Sequence, residues 1–388
     1  MIRILHLITS LGTGGTEISL YRLLRSLDQK RFLSRVASLV PDGPMAERIR
    51  GLNIPVDDLN CPRGRPDPRT IFRLRRILAI FRPRVIMTWL YHADLLGLIA
   101  TRKPMLPAGL PTPSLVWNLR CTVIGLVRRN PLTWLVRRVN AWCSSLPDLV
   151  LTNSTAGRSV HTALGYQPRR WETIPNGIDP EEFRPNPTAQ KLLRTDLGFP
   201  PDTILVGLAG RYDPMKGHEL FCSAASLATL EQPRLGFVCC GDGIAPDNTA
   251  LMRYIEAAGI AHRTRLLGRI EDMPGFFTGL DIACLASIGE GFPNVLAEAM
   301  ACSVPCVATD AGDASAILGN TGRLVPVADP PALGQALAEL AGLPAKKRRT
   351  LGRAARERII EYYAQDTMLR HYEAMLDTLT NRTTLTLL

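Results

Sequence analysis

Short apolar runs recur along this chain, each closed by a turn and most followed by a stretch of helical period. In the first half they fall at 2–8, 36–40, 85–88, 115–118 and 149–152, with helical patterns at 18–27, 45–50, 68–80 and 155–163. The pattern restarts at 204. Strands are expected at 204–209, 235–240, 264–267, 281–285, 305–308 and 323–325, and helices at 216–229, 249–258, 272–279 and 293–301. A strand that is apolar at every position is buried on both faces, the condition of a parallel sheet covered by helices. Parallel strands need long crossovers, which the helices supply. The chain therefore reads as α/β. Its 388 residues exceed what one hydrophobic core usually serves, and a Pro- and Glu-rich stretch at 180–188 separates the two runs of alternation. Two similar α/β domains are expected, 1–185 and 186–365, followed by a helix over 366–388. A cleft between tandem domains is a common ligand site.

No 18-residue apolar stretch lacks charge, so no membrane span is expected. The opening residues 1–8 read as a first strand rather than a signal peptide. Nine cysteines are scattered without a C-x-x-C pair, and Cys239, Cys240, Cys284 and Cys306 lie in apolar runs. They read as buried thiols in a reducing, cytoplasmic compartment. The net charge of +11 is uneven: residues 1–185 hold 27 Lys and Arg against 13 Asp and Glu, and the remainder holds 19 against 22. A basic first domain points to an anionic partner, either a membrane surface or a phosphorylated substrate. Nucleic acid is disfavoured, because zinc-finger and basic-heptad patterns are missing and aromatics make up only 6%. Residues 121–142 carry Arg128, Arg129, Arg137 and Arg138 among Val, Leu and Trp. That stretch fits either a helix lying on an anionic bilayer or an ordinary surface helix packed on its domain.

Several turns after strands carry chemistry. Gly289–Met300 places Glu290 in a strand-to-helix loop and Glu298 in the helix that follows, around Gly291, Phe292 and Pro293. The same residues also fit a Gly-Pro turn with a capping acid and a surface Glu. Residues 207–218 run from a strand through Gly210 to Arg211 and Lys216, two cations placed to reach one diphosphate. The order of a P-loop is lacking. Near the start, a Gly-rich turn with Gly14 and Gly15 opens a helix, the unit that offers free N–H groups to an anion. Asp310 and Asp313 read as caps or structural acids, and Gly241–Gly243 and Arg269–Asp272 as turns beside the site. His92 stands just after a strand end beside Asp94; it is either a group that steers a hydroxyl or phosphate, or a structural histidine. Metal-ligand spacing and a convincing nucleophile triad are both lacking.

With these pieces in order the chain resembles a family 4 retaining glycosyltransferase, over nearly its whole length. The E-x7-E element from Glu290 to Glu298 is diagnostic, and residues 207–218, the IPNGID at 174–179 and the TSLGTGGTE at 9–17 support it. The resemblance implies the GT-B fold, two Rossmann-like domains facing each other across a deep cleft, with the last helix crossing back to the first domain. It implies an acceptor-binding first domain and a second domain that binds a nucleotide sugar. Arg211 and Lys216 would then hold the diphosphate, with Gly210 in the turn. Glu290 would meet the donor sugar over Gly291, Phe292 and Pro293, and Glu298 the ribose. Gly14 and Gly15 would face phosphates or acceptor, and His92 the sugar's C6 hydroxyl or the acceptor. The implied activity is hexosyl or N-acetylhexosaminyl transfer, with no tightly bound cofactor and no catalytic metal. Cys302-Ser303-Val304 departs from the pattern, since many relatives have a glycine there. The loops 61–68 and 102–113 are expected to shape acceptor choice.

The basic first half fits extension of a lipid-linked or cell-surface glycan, as in polysaccharide or lipopolysaccharide assembly, at the inner face of the cytoplasmic membrane. The competing readings are a nucleotide-sugar 2-epimerase on the same scaffold, a nicotinamide-dependent oxidoreductase, and a non-catalytic glycan- or membrane-binding protein. The E-x7-E element weighs against the first. The second lacks G-x-G-x-x-G and the acid that should close the second strand.

Overall fold

The structure is a computed structural model that describes residues 1–41, 43–62, 67–120 and 131–385, the last four as backbone. Arg128, Arg129 and part of the loop 61–68 lie outside the described residues. The chain forms two compact units, 1–176 with 368–388, and 177–367.

The first unit holds β1 (Ile2–Ile8), β2 (Phe32–Ser38), β3 (Val56–Asp58), β4 (Val85–Trp89), β5 (Ser114–Leu119), β6 (Leu149–Thr152) and β7 (Trp171–Thr173). They make one parallel sheet in the order β3-β2-β1-β4-β5-β6-β7. Its helices are α1 (Gly15–Ser26), α2 (Pro44–Arg50), α3 (Arg69–Phe81), α4 (Tyr91–Ala100), α5 (Pro131–Trp142) and α6 (Thr155–Ala163). Successive residues of β1 serve opposite faces. Ile4 packs in a core with Leu20 and Leu23 of α1, while Leu5 packs with Leu74 of α3 and Leu98 of α4. The helix α6 begins where Ser154 accepts from the Gly157 N–H at 2.9 Å, a side-chain cap.

The second unit holds β8 (Ile204–Ala209), β9 (Leu235–Cys240), β10 (Thr264–Leu266), β11 (Ile282–Leu285), β12 (Cys306–Thr309) and β13 (Arg323–Val325), in the order β10-β9-β8-β11-β12-β13. Around it lie α7 (Pro187–Leu197), α8 (His218–Glu231), α9 (Thr249–Ala257), α10 (Met273–Gly279), α11 (Asn294–Ala301), α12 (Ala314–Leu318), α13 (Pro330–Gly342) and α14 (Ala345–Tyr362). The stretch 177–185, read above as the end of the first domain, packs here. Ile178 and Phe183 are buried with Ile359, Ile178 exchanges backbone bonds with Tyr363 and Gln365 at 2.9 Å, and Arg356 donates to the Phe183 carbonyl at 2.7 Å.

The last helix, α15 (Gln365–Leu385), belongs mostly to the first unit. Met368, Tyr372, Met375, Leu376 and Leu379 form one helical stripe buried with Ile4, Val36 and Trp89. Arg120, at the end of β5, donates to the Tyr372 hydroxyl at 2.5 Å, to the Asn118 side chain at 2.9 Å and to Asn176, and lies 4.9 Å over the Trp89 ring.

Two local expectations are corrected. Helix α8 starts at His218, not 216, because Gly217 takes φ 67 and ends a single 3-10 turn, Pro214–Lys216. Pro293 is the N-cap of α11 rather than its first residue.

Candidate functional site

In an open parallel sheet the ligand crevice lies outside the strand ends where the strand order reverses. In the second unit that point is between β8 and β11, which pair through Ile282 with Val206 and Ala283 with Gly207. The loop after β8 is tightly built. Gly210 N–H donates to the Cys240 carbonyl at 2.9 Å, and Asp213 Oδ1 accepts from Met215 N–H at 2.9 Å. At Gly217 a Cβ would lie 1.9 Å from the Ala286 carbonyl oxygen, so only glycine lets this loop meet the end of β11. Ile288 N–H donates to the Met215 carbonyl at 2.8 Å across the same seam.

These bonds bring Lys216 Nζ to 2.6 Å from Glu290 Oε1. Ser287 Oγ donates to the same oxygen at 2.7 Å. Ser287 is itself fixed, its carbonyl accepting from Thr309 Oγ1 at 2.6 Å. From below, Gly312 at φ 64 comes so close that a Cβ would lie 2.4 Å from the Glu290 carbonyl oxygen, and Asp313 N–H donates to the Gly291 carbonyl at 2.9 Å. The Glu290 carboxylate is thus held by Lys216 and Ser287, both on Oε1, and the backbone beneath it by the loop of Gly312 and Asp313. Phe292 is buried edge-on to Tyr363, ring centres 5.6 Å apart, and Glu298 is buried in the second turn of α11.

Arg211 is half exposed and reaches Asp213 at 3.2 Å. Burial pushes the Asp213 carboxyl up, but the Met215 N–H, the Arg211 guanidinium and the Lys216 ammonium outweigh it and hold the group below the usual carboxylate range. His218 opens α8 against the Tyr212 ring; burial, aided by the Lys216 charge, pushes its imidazole down to about 4, so it stays neutral. The seam therefore presents two cations, a pinned carboxylate and a helix N-terminus, a set that suits a phosphate-bearing sugar. Asp242 and Arg269, in the neighbouring turns, form only an exposed pair at 4.0 Å.

In the first unit the reversal lies between β1 and β4, whose ends pair through Ile8 and Trp89. Gly14 caps α1 and Gly15 begins it. The Glu17 carboxylate folds back over them, so that a Cβ at Gly14 would lie 2.6 Å from Glu17 Oε2, and Ser10 donates to Glu17 at 3.3 Å. His92, in the first turn of α4, is half-buried, and burial lowers its imidazole below the ordinary value.

Of the residues picked from sequence, Arg211, Lys216, Gly210, Glu290, Gly291, Phe292, Pro293 and Glu298 lie in or beside the second unit's seam, and Gly14, Gly15 and His92 at the first unit's reversal. Sequence reasoning missed Asp213, Ser287, Thr309 and Gly312. Only Gly312 stood beside a residue the sequence singled out, Asp313, read as a cap or structural acid. Among the described residues, no group of three or more His, Cys, Asp or Glu is placed to hold a metal ion.

A sequence profile described as "Glycosyltransferase Family 4" matches residues 13–182, and one described as "Glycosyl transferases group 1" matches residues 203–342. The chain is a glycosyltransferase of the GT-B fold, related to family 4. The glycosyltransferase is 28% identical to the lipopolysaccharide core biosynthesis mannosyltransferase LpsB of Rhizobium meliloti, over 73% of its own length and 76% of that protein's. It is 26% identical to the putative glycosyltransferase EpsF of Bacillus subtilis over 79% of both. Its fold is that of Anabaena Alr3699/HepE, solved in complex with UDP and glucose, with a TM-score of 0.82 and 23% identity over 97% of this chain and all (100%) of that one. Sucrose-phosphate synthase from Thermosynechococcus elongatus shares the fold at a TM-score of 0.80 and 17% identity, over 98% and 100% of the two chains. The glycosyltransferase moves a sugar from a donor to an acceptor. Among the described residues, no helix is long and apolar enough to cross a membrane.

Proposed function

We propose that the glycosyltransferase acts with retention at the anomeric carbon and binds its donor at the seam between β8 and β11. Arg211 and Lys216 hold the diphosphate, Glu290 takes donor sugar hydroxyls, and Glu298 takes the ribose. The observation that carries this reading is the Lys216–Glu290 pair at 2.6 Å, a cation for the leaving group beside an acceptor for the sugar. In the step itself the bond from C1 to the diphosphate oxygen breaks and the acceptor oxygen bonds to the same face of C1. The departing phosphate takes the acceptor's proton. Lys216 and Arg211 stabilise the charge that gathers on the phosphate. Glu290 is assigned to binding sugar hydroxyls and not to a glycosidase-type nucleophile, with Lys216 and Ser287 both on its Oε1. UDP-glucose and a mannose nucleotide are the first donors to test, given what HepE binds and LpsB transfers. The test is a panel of nucleotide sugars with a crude lipid-linked acceptor, the product's linkage being read by NMR. An inverted linkage, or a protein stabilised by no nucleotide sugar, overturns the reading.

The acceptor is proposed to be a lipid-linked or growing cell-surface glycan, met at the cytoplasmic face of the membrane. The folded-back Glu17 carboxylate favours a hydroxyl-bearing acceptor over a phosphate at Gly14 and Gly15, because an anion there would meet Glu17 first. His92 is assigned to the acceptor or the donor sugar. Two helices of the first unit support contact with an anionic bilayer. On α5 the exposed side is Trp134, Leu135, Arg138 and Trp142, with Arg138 over the Trp134 ring at 5.0 Å. On α3, Phe72 and Ile80 are exposed alongside Arg69 and Arg76. Arg137, grouped with the surface basics in the sequence, is buried and is left out of this surface.

A further inference from the structure

The turn between β4 and α4 holds a side chain where glycine is the usual occupant. Leu90 has φ 74 and ψ 155, a region that other residues enter only when their surroundings fix them there. Those surroundings are a buried polar network of the first unit. Thr88, on β4, donates to Asp94 Oδ1 at 2.5 Å, and a Cβ at Gly97 would lie 2.6 Å from the Thr88 methyl, so α4 rides close on the strand. Asn140, on α5, donates to the Tyr91 carbonyl at 2.8 Å. The Tyr91 hydroxyl lies 2.9 Å from His161 Nε2, on α6, and His161 Nδ1 lies 2.7 Å from the Gly157 carbonyl. A carbonyl only accepts, so Nδ1 carries the proton and Nε2 accepts from Tyr91. Asp94 N–H donates to the Leu90 carbonyl at 3.1 Å.

Ties from three elements thus converge on the first turn of α4. Between the tied residues Tyr91 and Asp94 stands His92, half-buried and with no hydrogen bond to its ring among the described residues. Asp94 is fully buried, and its Oδ2 has no partner among those residues. Burying such a group is costly, and an apolar pair would join α4 to β4 more cheaply. The cost is explained if the network does more than hold the helix down.

We infer that Asp94 and Thr88 are positioning residues: with Asn140 and His161 they clamp the strained turn at Leu90 and thereby set the His92 imidazole at the carboxyl end of β4. The inference rests on the reading of His92 as a group that meets acceptor or donor sugar.

The test uses Asp94→Ala, Leu90→Gly, the double variant and His92→Gln, with steady-state kinetics and the His92 ring signal in NMR as readouts. Asp94→Ala is expected to lower kcat on the order of 10²-fold, as a misplaced group does, to leave the donor KM little changed and to shift the His92 signal. Leu90→Gly removes the strain the clamp opposes, so the double variant regains the signal and most of the kcat. Asp94→Asn, which keeps an acceptor for Thr88, retains activity. If Asp94→Ala does not fold, Thr88→Val removes the same bond in a near-isosteric side chain and is expected to show the same two changes. A folded Asp94→Ala or Thr88→Val with wild-type kcat and an unmoved signal overturns the clamp, as does a double variant no better than Asp94→Ala. If His92→Gln is fully active while the signal still moves and is still restored, the clamp on His92 stands and its role toward the sugars falls.

Discussion

Lys216 Nζ and Glu290 Oε1 lie 2.6 Å apart although 74 residues separate them in the chain. The two groups proposed for the leaving phosphate and for the donor sugar therefore neutralise each other when no donor is bound. A diphosphate has to draw Lys216 toward itself, and in doing so it opens one of the two bonds on Glu290 Oε1 to a sugar hydroxyl, while Ser287 keeps the other. Lys216→Met is expected to lower kcat by about 10²–10³-fold, the usual cost of one lost transition-state donor, and to weaken nucleoside diphosphate binding. Glu290→Gln should impair transfer while leaving diphosphate affinity nearly intact, and Glu298→Ala should chiefly raise the donor Kd. Titration calorimetry with the nucleoside diphosphate, beside steady-state rates, separates the three. Equal effects in all of them would contradict the division of roles.

Ser303 follows α11 at φ 62, where the left-handed backbone costs a side chain roughly 1 kcal/mol. Its N–H donates to Met300 and that of Val304 to Ala299, at 2.9 and 3.1 Å, a helix end that usually carries glycine. Ser303→Gly is expected to raise unfolding free energy by about 0.5–1 kcal/mol, net of the extra freedom glycine gives the unfolded chain. Denaturant unfolding checks it; a loss of stability would refute the assignment.

Three buried histidines set an acid limit on stability. Burial pushes His6 down to about 3 and His161 and His218 to about 4. The unfolded chain binds these protons near pH 6.5 and the folded one does not. Their contribution is complete above pH 6.5 and is lost as pH falls from there toward 4, by up to about 1.4 kcal/mol per pH unit for each histidine. His6→Leu should flatten the dependence of the denaturation midpoint on pH between 6.5 and 4.5. An unchanged slope would place the acid sensitivity elsewhere.

Vesicle sedimentation tests the proposed membrane face. Trp134→Ser with Trp142→Ser should abolish binding to anionic vesicles while rates on a water-soluble acceptor stay at the wild-type level. Arg138→Gln should weaken binding by about 1 kcal/mol and make it less sensitive to salt. Wild-type protein that stays in the supernatant at low salt would exclude the surface.

The α/β alternation was legible because parallel strands buried on both faces read as plain apolar runs. Lys216 and Glu290 each stood out in a local motif, yet their pairing was not legible. It depends on β11 inserting beside β8, a matter of strand order that no window of sequence carries. Ser287 was invisible for a related reason: a serine at a strand end looks like any turn residue until Glu290 folds back onto it. Reading 216–229 as one helix overlooked how Gly217, pressed against the Ala286 carbonyl, takes a left-handed backbone and leaves Lys216 outside the helix. The end of the first domain was placed by composition at 185. Packing places it at 176, because Ile178 and Phe183 join the second unit's core, two apolar groups just before and within a Pro- and Glu-rich stretch, too few to register as a pattern.

The stripe from Met368 to Leu379 on α15 completes the core beneath Ile4, Val36 and Trp89, although almost two hundred residues of the other unit intervene. A ribosome builds the chain from its N-terminus, so the first sheet is made before the second unit, and the part of that face that α1 and α2 leave open waits uncovered while the whole second unit is made. During that interval its apolar strands are open to chaperones, proteases and neighbouring nascent chains. The helix that closes this core is made only after the whole second unit, and a nonsense mutation anywhere upstream of Leu379 would be felt at a sheet made long before it.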